Sequence, residues 1–264
     1  MKKLKHLIIG SGVIGSATGI WLKANNEEII FCDIKPEILK KLEIKGFKVT
    51  TKIENIKADM FWICTAEWNT EEVLKKLSKH YKDPFVLIRS TTPPGTVEKL
   101  GKKYNIRHIA HIPEFLKQKT AIQDIFDKDR IIIGTTDKET QEKLKQVFNS
   151  ETIKIIYTTP TTSELIKYAS NCWLAMTISY WNEIKKICDK YKVNPQMVAN
   201  AACLDRRISK YGTAMIGEPY AGFCFPKDLD AFIKSFEENK IDSTLLKAVR
   251  KVNDLLKKQK KGEE

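Results

Sequence analysis

An α/β fold is predicted: a doubly wound sheet followed by an all-helical domain with one long helix. Three observations predict it. Short apolar runs alternate with helical patterns up to about residue 159, as strands and crossover helices of a parallel sheet do. A glycine-spaced turn, Gly10-Ser11-Gly12-Val13-Ile14-Gly15, follows the first run directly. From Thr161 to about Tyr191 the chain then contains no helix breaker.

The elements follow in order. Lys5 to Ile9 reads as a buried strand, Val13 to Asn25 as an apolar helix, and Glu28 to Cys32 as a second strand that ends at Asp33. In such a unit Gly10 permits the tight turn, Gly12 lets backbone approach a pyrophosphate, and Gly15 packs helix on strand. The helix N-terminus at Val13 and Ile14 faces the phosphates. An acid at Asp33 suits the ribose hydroxyls of NAD and repels a 2′-phosphate. The pattern is Rossmann-like, and the expected cofactor is NAD. Met60–Cys64, Phe85–Ile88, Ile106–Ile109 and Ile131–Ile133 read as further parallel strands, and Lys154–Tyr157 closes the series. Thr70–His80, Val97–Tyr104 and Lys138–Asn149 read as helices. Ligands are expected at the strand C-termini, where two proline-stiffened loops lie, Ser90–Thr96 and Pro113–Gln118.

After Pro160 the pattern is helical, which divides the chain into a domain of about 1–159 and one of about 160–264. The long helix has Ser163 and Glu164 near its start and spans about 45 Å. Its middle, Cys172 to Trp181, is apolar nearly all round, so it is expected to be covered on several sides. Lys167 and Asn171 stand at i and i+4 on one face, as an anion or oxyanion site or as a surface pair. A helix from about Pro195 to Ala202 and a loop with Asp205-Arg206-Arg207-Ile208 come next. A helix to about Asn239 and a basic one from Ser243 towards Lys261, frayed after Lys257, complete the chain.

Composition narrows the function. At 42% apolar and 30% charged residues, the 264-residue chain is that of a globular protein with ample core. No apolar run reaches membrane-spanning length. The six cysteines are scattered without a CxxC pair, which fits free thiols in a cytoplasm. His6, His80, His108 and His111 show no ligand spacing with them, so no metal is expected. The net charge of +13 is spread along helices, not interleaved with stacking aromatics. It fits attraction of an anionic small molecule, and no nucleic-acid partner is expected.

One stretch concentrates chemistry: Gly222-Phe223-Cys224-Phe225-Pro226-Lys227-Asp228. A free thiol is only about 3% thiolate at pH 7. A nearby lysine, or a helix beginning near Lys227, raises that fraction. Asp228 can accept a proton or orient a water. A packing cysteine beside a surface ion pair has the same sequence.

These motifs together resemble the nucleotide-sugar 6-dehydrogenases, the family of UDP-glucose and GDP-mannose dehydrogenases. The resemblance rests on the glycine turn, Ser90-Thr91 with Pro94-Gly95-Thr96, and Pro113-Glu114-Phe115-Leu116. It continues in Glu164 to Asn171, Asp205-Arg206-Arg207-Ile208 and Cys224-Phe225-Pro226-Lys227-Asp228, and so covers essentially the whole chain. It implies oxidation of a sugar C6 alcohol to a carboxylate with two NAD, most simply UDP-glucose to UDP-glucuronate. Cys224 would carry a thiohemiacetal and then a thioester. Lys167 and Asn171 would stabilise the oxyanion, Asp228 would hold Lys167 and a water, and Glu114 would assist proton transfer. Thr91 would help hold the water and the nicotinamide. Phe115, Leu116, Gly222 and Arg207 would contact substrate, Arg207 reaching, as often in the family, that of a neighbouring subunit, and the long helix would build a homodimer.

The chain departs from the pattern in places. Gln118 stands where a second glutamate is expected, and Ala221-Gly222-Phe223 replaces a Gly-Gly turn. The sequence also ends where the family begins a second α/β domain that binds much of the nucleotide. The expectation is therefore a short form. Two other readings stand beside it: a weak or inactive NAD-binding half that needs a separate nucleotide-binding chain, and a hydroxyacid dehydrogenase of related fold. The latter has no need of Cys224.

Overall fold

The computed structural model describes residues 3–148, 153–222 and 224–262. The chain forms two compact units, Met1–Lys167 and Tyr168–Glu264.

The first unit alternates β1 (Lys5–Ile9), α1 (Val13–Ala24), β2 (Glu28–Cys32), α2 (Pro36–Glu43), β3 (Lys48–Thr50) and β4 (Met60–Ile63). It continues with α3 (Thr70–His80), β5 (Val86–Ile88), α4 (Thr96–Lys103), β6 (Ile109–His111), α5 (Ala121–Phe126), β7 (Arg130–Gly134), α6 (Lys138–Val147) and β8 (Lys154–Thr158). The eight strands lie in the order β3-β2-β1-β4-β5-β6-β7-β8, which is doubly wound, as expected. Successive side chains of a strand point to opposite faces. Ile8, Trp62 and Leu87 therefore pack with Ala17, Trp21 and Leu22 of α1 and with Ile125 of α5. Leu7, Ile9, Phe61, Ile63 and Ile88 pack on the other face with Leu74 and Leu77 of α3 and Leu100 of α4. Burial on both faces is why these strands read as continuous apolar runs.

The structure corrects four expectations here. β7 runs antiparallel to β6, joined through the single pair His111 and Gly134, so not all strands are parallel. The crossover helix α5 has only six residues, about 9 Å, too short to carry the chain back along the sheet before β7 begins. β6 starts at Ile109, not Ile106, because Ile106 belongs to the turn after α4 and packs beside Leu100. α2 and β3 are absent from the sequence reading: β3 is three residues long, and α2 shows its apolar stripe only through Leu39 and Leu42. Asn149, the expected end of α6, lies outside the described residues.

α7 (Pro160–Lys190) is the long helix, 31 residues in all. In the second unit it is followed by α8 (Pro195–Ala202), α9 (Cys224–Glu238) and α10 (Thr244–Gly262). Asn194 caps α8 by accepting from the Gln196 and Met197 amides. Cys172, Ala175 and Ile178 of α7 pack with Leu229 and Ile233 of α9 and Val249 of α10. Tyr168 stacks on Phe232 with ring centroids 5.0 Å apart. α10 continues to Gly262, past the fraying expected at Lys257. Among the described residues no helix is long and apolar enough to cross a membrane.

Candidate active site

The glycine turn sits where β1 ends. Gly10 has φ +86° and its would-be Cβ meets Cys64 and Thr65 backbone at 2.8 Å, so only glycine fits. At Gly15 a Cβ would lie 1.9 Å from the Gly10 carbonyl oxygen. Gly12 has no atom within 4 Å of its Cβ position, which leaves its backbone open to a ligand at the start of α1. Asp33 Oδ2 accepts from the Ser11 amide at 2.7 Å and Oδ1 from the Lys35 amide at 2.9 Å. The carboxylate is thereby fixed beside the turn, on a groove of about 550 Å³ that Gly10, Gly12, Asp33 and Thr65 help to line. An open backbone face at a helix N-terminus, with a fixed acid beside it, fits a dinucleotide whose ribose hydroxyls meet a carboxylate. Calorimetry is expected to show NAD bound more tightly than NADP. Asp33→Ala is expected to weaken NAD roughly tenfold, the value of about one charge-assisted hydrogen bond, and to narrow the preference. Equal affinity of the unmodified protein for both cofactors would refute the role of Asp33.

The Ser90–Thr96 loop is pinned on both sides of Thr91. Ser90 Oγ donates to the Thr65 carbonyl at 2.7 Å, and Thr92 Oγ1 donates to Glu164 Oε1 at 2.9 Å. Glu164 also accepts from the amides of Gly95 at 2.7 Å and Val97 at 3.0 Å. It is therefore the cap of α4, supplied by a different helix, and not merely a residue at the start of its own. Its side chain is fully buried, and burial raises its pKa to about 7. Sequence reading gives Glu164 no such role. Thr91 itself is half-buried between these anchors.

Glu114 and Lys167 form a buried ion pair at 3.0 Å, with side chains 7% and 3% exposed. Lys167 Nζ also donates to the Glu114 carbonyl at 2.6 Å, and the other carboxylate oxygen accepts from the Leu116 amide at 2.7 Å. One lysine thus holds the main chain and side chain of the Glu114 loop together. The resemblance pairs Lys167 with Asp228; within this unit the carboxylate beside Lys167 is that of Glu114. Phe115 and Leu116 are half-buried in the same loop, and Gln118 is exposed. His111 lies near by, its Nδ1 2.9 Å from Ser163 Oγ. Burial lowers its pKa to about 3, so it is neutral near pH 7 and too weak a base to compete with a carboxylate.

In the helical unit α9 begins at Cys224 itself, three residues before the expected start. Pro226 falls in the first turn, where its missing N–H costs no intrahelical bond. Cys224 is half-buried at this positive helix end. Gly222 is exposed with φ +79°, a backbone state that side chains resist. Phe223 lies outside the described residues. One turn into α9, Asp228 is 1% exposed; its Oδ2 accepts from Asn171 Nδ2 at 2.5 Å. Its Oδ1 makes a 2.6 Å ion-pair contact with Lys227 Nζ but no hydrogen bond, which leaves acceptor capacity on a buried carboxylate. Arg207 is on the surface, in a fork with Asp205 at 2.6 to 3.1 Å.

Comparison with known proteins follows the same division. Residues 48–152 match the NAD binding domain of the UDP-glucose/GDP-mannose dehydrogenase family, and residues 161–255 match its central domain. The chain is 33% identical to the UDP-glucose 6-dehydrogenase YwqF of Bacillus subtilis (strain 168), over 94% of this chain and 65% of that protein. It is 35% identical to the UDP-glucose 6-dehydrogenase of Rickettsia prowazekii, over 70% of this chain and 44% of that protein. The chain thus spans less than two thirds of these curated relatives. A solved UDP-glucose dehydrogenase from Pyrobaculum islandicum superposes with a TM-score of 0.86 at 25% identity, covering 96% of this chain and 68% of that one. With two of the family's domains matched in sequence order on the expected fold, the chain belongs to the UDP-glucose/GDP-mannose dehydrogenase family.

Proposed function

We propose that the chain carries the oxidation of a nucleotide sugar, UDP-glucose in the first instance, at C6 to the acid. The observation that carries the reading is Cys224 opening α9, with Asp228 buried one turn later and holding Asn171. A hydroxyacid dehydrogenase has no use for that thiol. NAD, when bound, takes up a hydride at each of the two oxidations. The residues of the chain supply the rest. Glu114 takes the proton of the C6 hydroxyl, and Lys167 carries positive charge towards the sugar oxygen. The Cys224 sulfur adds to the aldehyde carbon, and Asn171 donates to the oxygen of the adduct. Loss of hydride from the alkoxide form of this thiohemiacetal leaves a thioester. Asp228 directs a water onto the thioester carbon; the C–S bond breaks, and the carboxylate and the thiol are released. Phe115, Leu116, Gly222 and Arg207 are assigned to substrate contact, and Thr91 to the water and the nicotinamide.

The test is NADH production against UDP-glucose, GDP-mannose and simple hydroxyacids. Two NADH per nucleotide sugar consumed is expected. One NADH per simple hydroxyacid, with nucleotide sugars inert, would replace this reading with that of a hydroxyacid dehydrogenase.

We also propose a homodimer on α7. Ile178 and Trp181 are buried within the helical unit and cannot serve it. Trp173, Tyr180 and Ile187 remain 54%, 55% and 52% exposed, spaced seven apart on one stripe. Light scattering is expected to give a dimer that Trp173→Glu/Ile187→Glu splits; a monomer at micromolar concentration would refute it.

A further inference from the structure

We propose that the cavity beside α1 and α5 is a binding site for a small monoanion with an apolar body, a carboxylate held by the guanidinium of Arg89. Glu114, Phe115 and Leu116, assigned above to the dehydrogenase reaction, form one wall of this cavity, whereas Arg89, Lys128 and the aromatic wall opposite have no role in that reaction. It measures about 370 Å³, within the range of small-molecule sites, and shares no lining residue with the dinucleotide groove.

Arg89 directly follows β5, and the alternation of the strand sends its side chain to the face of Leu87, among the apolar residues under α1. The residue is 8% exposed. Its Nε is buried without a hydrogen-bond partner, and no ion pair to its guanidinium occurs among the described residues. A guanidinium cannot shed its charge at neutral pH. An unpaired buried charge is strongly destabilising, so a fold that keeps one beside a cavity has a use for an anion there.

Of the four carboxylates on the wall, three are engaged elsewhere, and the fourth, Asp127, is not among the charges that act on Arg89. Glu114 draws on Arg89 electrostatically, but its oxygens are taken by Lys167 and the Leu116 amide. Asp124 Oδ2 accepts from the Lys117 amide, and Asp129 pairs with Arg130. Trp21, Trp62, Ile125 and Phe148 give the wall its apolar part. A second cation, Lys128, lies 3.5 Å from the centroid of the Trp21 ring; burial and the charge of Arg89 lower its pKa to about 7. One full positive charge and one partial charge above an aromatic floor match a monoanion better than a phosphate dianion. A carboxylate also meets the guanidinium fork with two parallel bonds.

The experiment is calorimetry on the full chain with benzoate, hexanoate, inorganic phosphate and benzyl alcohol. Saturable binding of both carboxylates is expected, with benzyl alcohol at least tenfold weaker. Arg89→Leu is expected to weaken benzoate at least tenfold. Without ligand it should melt higher than the parent, because it removes the buried charge. Ile125→Phe, which fills the cavity and leaves Arg89 in place, is expected to lose benzoate as well, and it carries the test if Arg89→Leu does not fold. Failure of the unmodified protein to bind either carboxylate would overturn the proposal. So would undiminished benzoate binding by either variant, tighter binding of phosphate, or displacement of benzoate by NAD.

Discussion

Replacing Cys224 by alanine is expected to lower acid formation at least about a thousandfold, as loss of a nucleophile does, with NAD affinity unchanged. The dinucleotide groove lies wholly in the α/β unit and Cys224 in the helical one, so the two readouts separate. The position of Cys224 as first residue of α9 matters energetically. A helix N-terminus favours an anion by up to about 1 kcal/mol, which favours the nucleophilic thiolate over the thiol. Cys224→Ser tests the leaving group as well. The serine alkoxide leaves far less readily than a thiolate, so an ester of the sugar acid should accumulate and be seen as a mass adduct. Normal turnover by Cys224→Ala would remove the covalent route.

Glu164→Ala is expected to destabilise the α/β unit by about 3 kcal/mol at pH 5, a fall in melting temperature of roughly 6–12 °C. The substitution strands the Gly95 and Val97 amides and the Thr92 hydroxyl, all of which donate to Glu164. The effect depends on pH with a definite sign. The folded pKa of Glu164 is raised from 4.5 to about 7, chiefly by burial. Its contribution is therefore complete below about pH 4.5 and is lost as pH rises through 7, when the buried group must ionise. The difference in melting temperature between Glu164→Ala and the parent should shrink from pH 5 to pH 8. A difference that grows with pH would refute the assignment. Glu164 fixes both the loop after Thr91 and the first turn of α4, and so holds the backbone on which Thr91 sits.

Local features were legible in the sequence. The spacing of Gly10, Gly12 and Gly15 between β1 and α1, with Asp33 at the end of β2, is decided within one strand-turn-helix-strand unit. Steric limits at each glycine act over a few residues, so spacing alone reveals them. The apolar runs named the central strands because those strands are buried on both faces, and the unbroken run after Pro160 named α7. Short elements such as β3, with three residues, escaped because so few positions set no period. The partners of the buried polar groups were not legible there, because the packing of distant elements sets them. Glu164 caps a helix that begins 68 residues earlier (164 − 96), Lys167 takes Glu114 across a separation of 53 residues, and Arg89 is left with a cavity in place of a carboxylate. Hydrophobic periodicity reports which face of an element turns inward. It does not report which charge arrives opposite, because that depends on how elements distant in the chain pack, and burial makes each such pairing worth several kcal/mol.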